Sequence, residues 1–252
     1  MPSLQSWLPV PASRLAAADD AWLRAVNEVM GALDEPPLTA VKDLFEGATP
    51  LLTVEPELDH YTDRAAGQFV GAMDPPASFG VSPNEWSSGA ADYVLVYLSA
   101  ANRFLPQVLD ALSSLEWPVV AVISGDVTEH RRRYPWIPWC DAPINLSALV
   151  GRCRLAITSG GTMLASTMLK REVPLVICPE DLEKAIISTQ LGRRQLATGL
   201  NWFAPPPGDL REILEHAVSD PTTAAARRAF AASHRGRTSD QIADEVITAC
   251  LQ

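Results

Sequence analysis

The chain has 252 residues, 47% hydrophobic and 20% charged, the balance of an ordinary globular protein of one large or two small domains. A net charge of −10, from 30 acidic and 20 basic residues, excludes the basic footprint of a non-specific nucleic-acid binder. No stretch approaches the roughly 18–20 apolar residues of a membrane span, and "MPSLQSWLPVPASRL" lacks the pattern of a secretory signal. Cys140, Cys153, Cys178 and Cys250 fit neither a zinc spacing nor C-x-x-C, so a reducing, cytoplasmic setting is expected.

Residues 12–33 have helical spacing, with Leu15, Trp22, Leu23, Val26, Met30 and Leu33 able to share a face. "DEPP" (34–37) stops that helix, and "LTAVKDLFEGA" predicts a second, short one. "TPLLTVEPELD" and "QFVGAMDPP" predict two short strands. Residues 75–91 are rich in Pro, Gly and Ser without any period and read as a linker between a partial first portion, 1–74, and a second domain, 92–252. Within that domain, apolar strands are expected at 92–99, 118–124, 155–159 and 174–179. Helices alternate with them at 104–116, 142–152, 162–172 and 182–197, followed by helices over 208–220 and from Ala224 onward. Strands without polar alternation, separated by helices, predict an α/β fold with a doubly wound parallel sheet covered on both faces. Ligands of such sheets sit at the carboxyl ends of the strands.

Three constellations fall at that edge. "SGGT", Ser159 to Thr162, joins a strand to a helix. Its glycines allow close backbone approach, and the helix N-terminus favours an anion. A tight turn without a ligand explains the same residues equally well. "PEDLEKA" (179–185) brings Glu180, Asp181 and Glu183, acceptors suited to sugar hydroxyls or simply favourable in the first turn of a helix. "WIPWCDAPINL" (136–146) is an apolar loop on which a flat base could stack or lie against Ile144, or whose tryptophans merely pack. The loop "SAANRF" after the first strand of the second domain carries no glycine fingerprint for a dinucleotide.

In their order and spacing, residues 91–252 resemble the C-terminal, donor-binding domain of GT-B glycosyltransferases, in particular the family 1, UDP-glycosyltransferase-like enzymes. "YVLVYLSAANRFLPQVLDAL" is similar to that domain's first strand and helix, and "RCRLAITSGGTMLASTMLKREVPLVICPEDLEKAIISTQLGRRQLATGL" to its signature. Upstream, "PELDHYTDRAAGQFVGAMD" resembles the exit from the family's N-terminal domain.

The resemblance implies that Ser159, Gly160, Gly161 and Thr162 hold the diphosphate of a nucleotide sugar, with Ser99 nearby. It further implies that Ile144 and Asn145 lie in the loop cradling the base, and that Glu183 holds sugar hydroxyls. It implies a hexosyltransferase using the nucleotide sugar as donor substrate, with no metal and no further cofactor. Departures are specific. The family's histidine falls on Ser159, its second glycine position on Met163, its hydroxyl residue on Leu164, and its acid–glutamine pair on Glu183 and Lys184. The first portion is short for an acceptor domain, and no general base is identified. Two readings follow: a transferase needing a partner chain or a second copy for its acceptor half, or a non-catalytic relative acting as an interaction or scaffold protein.

Overall fold

A computed structural model describes residues 11–48, 51–60, 68–74, 80, 92–146 and 150–251. They divide into two compact units, one formed by the described residues up to 48 and the other by those from 51 onward. The expected linker lies outside the described residues except for Gly80.

In the smaller unit, α1 (Ala12–Ala32) contains no buried residue. Leu15, Leu23, Val26 and Met30 are half-buried, whereas Trp22 and Leu33 are exposed, so the apolar side chains do not all serve one inner face. Asn27 ties the returning chain to α1: its Nδ2 donates to the Leu38 carbonyl at 3.0 Å and its Oδ1 accepts from the Leu38 N–H at 2.7 Å. The second expected helix shrinks to a 3₁₀ turn, Val41–Phe45. Asp43 accepts from the N–H groups of Thr39 and Ala40 and from the Thr39 hydroxyl, local bonds that compete with a regular helix.

The larger unit opens with a two-stranded parallel ribbon, β1 (Leu51–Leu52) beside β2 (Gln68–Phe69). The main sheet follows: β3 (Tyr93–Ser99), β4 (Val119–Ser124), β5 (Trp139–Cys140), β6 (Cys153–Thr158), β7 (Leu175–Ile177) and β8 (Thr198–Gly199). Its spatial order is β5-β4-β3-β6-β7-β8, and every pairing is parallel. Numbered within the domain, that is 3-2-1-4-5-6, the doubly wound order, with its topological switch between β3 and β6.

Helices α2 (Leu105–Leu115), α3 (Thr128–Arg133), α4 (Thr162–Lys170), α5 (Leu182–Arg193), α6 (Arg211–Ser219), α7 (Pro221–His234) and α8 (Ser239–Cys250) complete the unit. Alternation along β3 divides the core. Val94, Val96 and Leu98 meet Leu105, Val108 and Leu109 of α2 and Leu214 of α6 on one face. Tyr93 and Leu95 meet Met168 and Leu169 of α4, Ile187 and Leu191 of α5 and Phe230 of α7 on the other. Both faces being covered explains strands that read as continuous apolar runs.

Two edge strands, β5 and β8, were not expected from the sequence, which placed a loop at 136–146 and a helix end at 197. The helix anticipated over 142–152 is described only at Leu146 and as a 3₁₀ turn, Val150–Arg152. The basic run Arg131–Arg133 sits on α3, and each arginine has a carboxylate partner: Asp141, Glu129 and Asp110. No helix among the described residues is long and apolar enough to cross a membrane.

The segment following β1 is pinned to the sheet unit by a buried ion pair. Glu55, 1% exposed, meets Lys170 of α4 at 2.7 Å. Lys170 also donates to the Ala72 carbonyl at 2.8 Å, and Glu55 accepts from the Ala72 N–H at 3.1 Å.

Candidate functional site

The glycine turn lies at the switch point. β6 ends at Thr158, whose hydroxyl accepts from the Gly160 N–H at 3.0 Å. Gly160 has φ +100°, a left-handed conformation. A Cβ there would stand 2.9 Å from Ile177 Cγ2 and 3.6 Å from both Cβ and the carbonyl oxygen of Lys184. Glycine is therefore required twice, by backbone angle and by space. Gly161 differs: it is exposed, has φ −59°, and a Cβ would meet nothing within 4 Å. It is the N-cap of α4 without a side-chain cap, so the opening N–H groups of that helix face the crevice with no intrahelical partner. Ser159 and Thr162 are both half-buried on either side of the glycines.

Ser99, the last residue of β3, reaches the same place. Its hydroxyl donates to Glu180 Oε2 at 2.9 Å. Glu180 follows β7, so this bond bridges the carboxyl end of β6, the strand between them. Beneath it, Asn102 Nδ2 donates to the Cys178 carbonyl at 2.8 Å, and Asn102 Oδ1 accepts from the Phe104 N–H at 3.0 Å. Asn102 thereby fixes the loop after β3, starts α2 and holds the end of β7. The sequence reading singled out Ser99 in this loop and gave Asn102 no role. An asparagine between an apolar strand and an apolar helix was the available signal.

Lys184 occupies the centre of the acidic loop. Its Nζ lies 2.5 Å from Asp181 Oδ2 and 3.2 Å from Glu180 Oε1. Asp181 is also the N-cap of α5, with Oδ1 accepting from the Lys184 N–H at 2.9 Å. Burial pushes Asp181 up, but the bonds from Lys184 outweigh it and leave the carboxyl below its usual range. Burial likewise pulls the Lys184 ammonium down, and the carboxylates of Asp181 and Glu180 outweigh it and hold it above the ordinary lysine value.

Of the expected site residues, the structure thus gathers Ser99 and Ser159 to Thr162 at one crevice. Glu183 stands exposed in the first turn of α5, and the carboxylate that meets Ser99 belongs to Glu180. Ile144 is 3% exposed, its side chain packed in the core beside Tyr93 and Val120, so what it can offer a ligand is main chain. Asn145 is partly exposed beside it, and Gly80 lies so close to this loop that a Cβ would stand 2.5 Å from the Ile144 carbonyl carbon. Two concavities of about 390 Å³ and 310 Å³ lie elsewhere, one at Pro106, His130 and Tyr134, the other between α5 and the segment 199–203. Among the described residues, no group of three or more His, Cys, Asp or Glu could hold a metal ion.

Solved structures share this architecture. The glycotransferase of kitacinnamycin superposes with a TM-score of 0.69 at 18% identity, over 91% of this chain and 62% of its own. The calicheamicin glycosyltransferase CalG4 gives 0.67 at 19% identity, over 92% of this chain and 60% of its own. The glycosyltransferase VinC, solved in complex with DTDP, gives 0.66 at 19% identity, over 95% of this chain and 62% of its own. No protein-family model and no curated protein matches the sequence. The chain therefore has the GT-B fold, with the Rossmann-like domain of that architecture carried by its larger unit, and it spans about 60% of the length of these neighbours.

Proposed function

We propose that the chain binds a nucleoside-diphosphate sugar at the switch point and serves glycosyl transfer to an acceptor hydroxyl. One observation carries the reading: an uncapped helix start, preceded by a glycine whose backbone angle and close neighbours penalise any side chain, opens into the crevice between β3 and β6 beside the hydroxyls of Ser99, Ser159 and Thr162. Such a helix start is a ready anion site. The fold likeness to glycosyltransferases supports the reading, as does the diphosphate nucleotide bound by VinC.

In this reading the diphosphate lies on residues 159–162 with Ser99 as a further donor. Ile144 and Asn145 offer main-chain groups to the base, and Glu183, in the first turn of α5, would meet the sugar. The reaction is base-assisted attack of the acceptor oxygen on the anomeric carbon, with the nucleoside diphosphate leaving. No base is assigned in this chain. In this proposal a partner chain or a second copy supplies acceptor binding, so transfer by the purified chain alone is not required.

Thermal unfolding with uridine, thymidine, guanosine and adenosine diphosphates tests it. One nucleotide should stabilise the chain by about 2.7 kcal/mol at a concentration of 100 times its Kd. Gly161→Asp should abolish the shift while the protein stays folded, because residue 161 is open and an aspartate is a good N-cap. No shift with any nucleotide at millimolar concentration would refute the reading and favour the non-catalytic scaffold.

A further inference from the structure

The crevice described above is spanned by its own side chains. Ser99 Oγ donates to Glu180 Oε2, and Glu180 Oε1 takes Lys184 Nζ at 3.2 Å, so one carboxylate links β3 to α5 across the end of β6. A negative charge thus stands across the end of β6, the strand from which the turn that would hold an anion continues. The neighbouring cation, Lys184, is committed to two carboxylates. The two are not held alike. Asp181 accepts from both the Nζ and the backbone N–H of Lys184 and caps α5, whereas Glu180 has the longer contact with Lys184 and caps no helix. Glu180 is the partner that can leave without undoing a helix.

We propose that Glu180 is an exchangeable clasp over the diphosphate cradle and that Lys184 is the residue that trades it for ligand. The inference rests on the functional reading above and adds the regulation of that same site. An arriving diphosphate and the Glu180 carboxylate compete for the same two donors, the Ser99 hydroxyl and the Lys184 ammonium. When the diphosphate settles on residues 159–162, like charge expels Glu180. Ser99 and Lys184 then turn to phosphate oxygens, and Asp181 keeps Lys184 beside the turn, where its Cβ already stands 3.6 Å from the Cβ position of Gly160. The closed clasp screens the cradle from single anions. A ligand must bring enough charge and enough contacts to replace both bonds, which favours diphosphates over monophosphates.

The test is titration calorimetry of the whole chain with thymidine diphosphate, thymidine monophosphate and inorganic pyrophosphate. It uses the wild type, Glu180→Gln, Lys184→Met and Lys184→Arg. Removing the clasp charge in Glu180→Gln should tighten pyrophosphate and thymidine diphosphate by about five- to tenfold, and monophosphate by more. Lys184→Met should weaken both diphosphates by a similar factor, and Lys184→Arg should restore most of the loss. Diphosphate binding that is unchanged or weaker in Glu180→Gln, with the wild type binding normally, would overturn the clasp and leave the functional reading intact. Failure of the wild type and of Glu180→Gln to bind any of the three would overturn both. Binding by Glu180→Gln alone would support the clasp and refute the functional reading of the unaltered chain.

Discussion

Gly160 and Gly161 are adjacent, yet the same methyl group should be costly at one and nearly neutral at the other. At Gly160 a side chain must adopt φ +100°, which costs about 1–3 kcal/mol. Its Cβ must also displace Ile177 Cγ2 from 2.9 Å in a fully buried part of β7, an overpacking worth about 1–3 kcal/mol more. Gly160→Ala is therefore expected to lose roughly 2–6 kcal/mol of unfolding free energy. At Gly161 the φ is −59° and the space is open, so alanine gains about 0.4–1 kcal/mol by restricting the unfolded chain. It loses a comparable amount as a poor N-cap, for a net change within about 0.5 kcal/mol. Urea unfolding of the two variants, read by far-ultraviolet circular dichroism and tryptophan fluorescence with equal m-values, measures the difference directly. Equal stabilities would refute the claim that the turn is shaped by Gly160 and that Gly161 is open for a ligand.

Lys170→Met strands Glu55 in the interior with one backbone donor left, so it should cost about 3–5 kcal/mol, and Glu55→Gln added to it should recover part of that; urea titration of the single and double variants decides. On the alkaline side, burial pushes the Cys153 thiol up from 9.0 to about 12, and burial likewise raises the Tyr93 phenol. Both folded values lie above the unfolded ones, so their stabilisation is complete below about pH 8.5 and is lost as pH rises through that range. Tyr93→Phe should flatten the fall above about pH 10, and an unchanged profile would contradict it. All four cysteines are free, with Cys250 exposed and Cys140 and Cys178 buried. A colorimetric thiol reagent should therefore label Cys250 rapidly and the two buried thiols only on unfolding, and fast labelling of Cys178 would contradict the packing at the end of β7.

The central fold was legible because its strands advertise themselves. "DYVLVYLS" and "RLAIT" are apolar on both faces, and only a sheet covered on both sides accepts that. β5 and β8 were not legible, since two residues of pairing leave no period to detect; Trp139 and Cys140 look like any apolar loop until Ala121 and Val122 are beside them. The glycine turn could be located, but its two glycines could not be told apart, because their difference lies in Ile177 and Lys184, residues distant in the chain. In the acidic loop, Glu183 was singled out by resemblance and stands exposed in the first turn of α5. The bond from Ser99 to Glu180 joins residues 81 apart in the chain and leaves no local signal to read.

The brevity of β5 and β8 has a consequence for how the protein meets others. A sheet invites strand addition through a run of unpaired N–H and C=O groups along its border, and a border two residues long has almost none to offer. The wide strands β3 and β6 are at the centre, already paired on both sides. Recruitment by main-chain zippering is closed to this sheet. Whatever assembles on it must do so through side chains, by shape and charge, and such contacts can be redesigned one residue at a time without disturbing the sheet beneath.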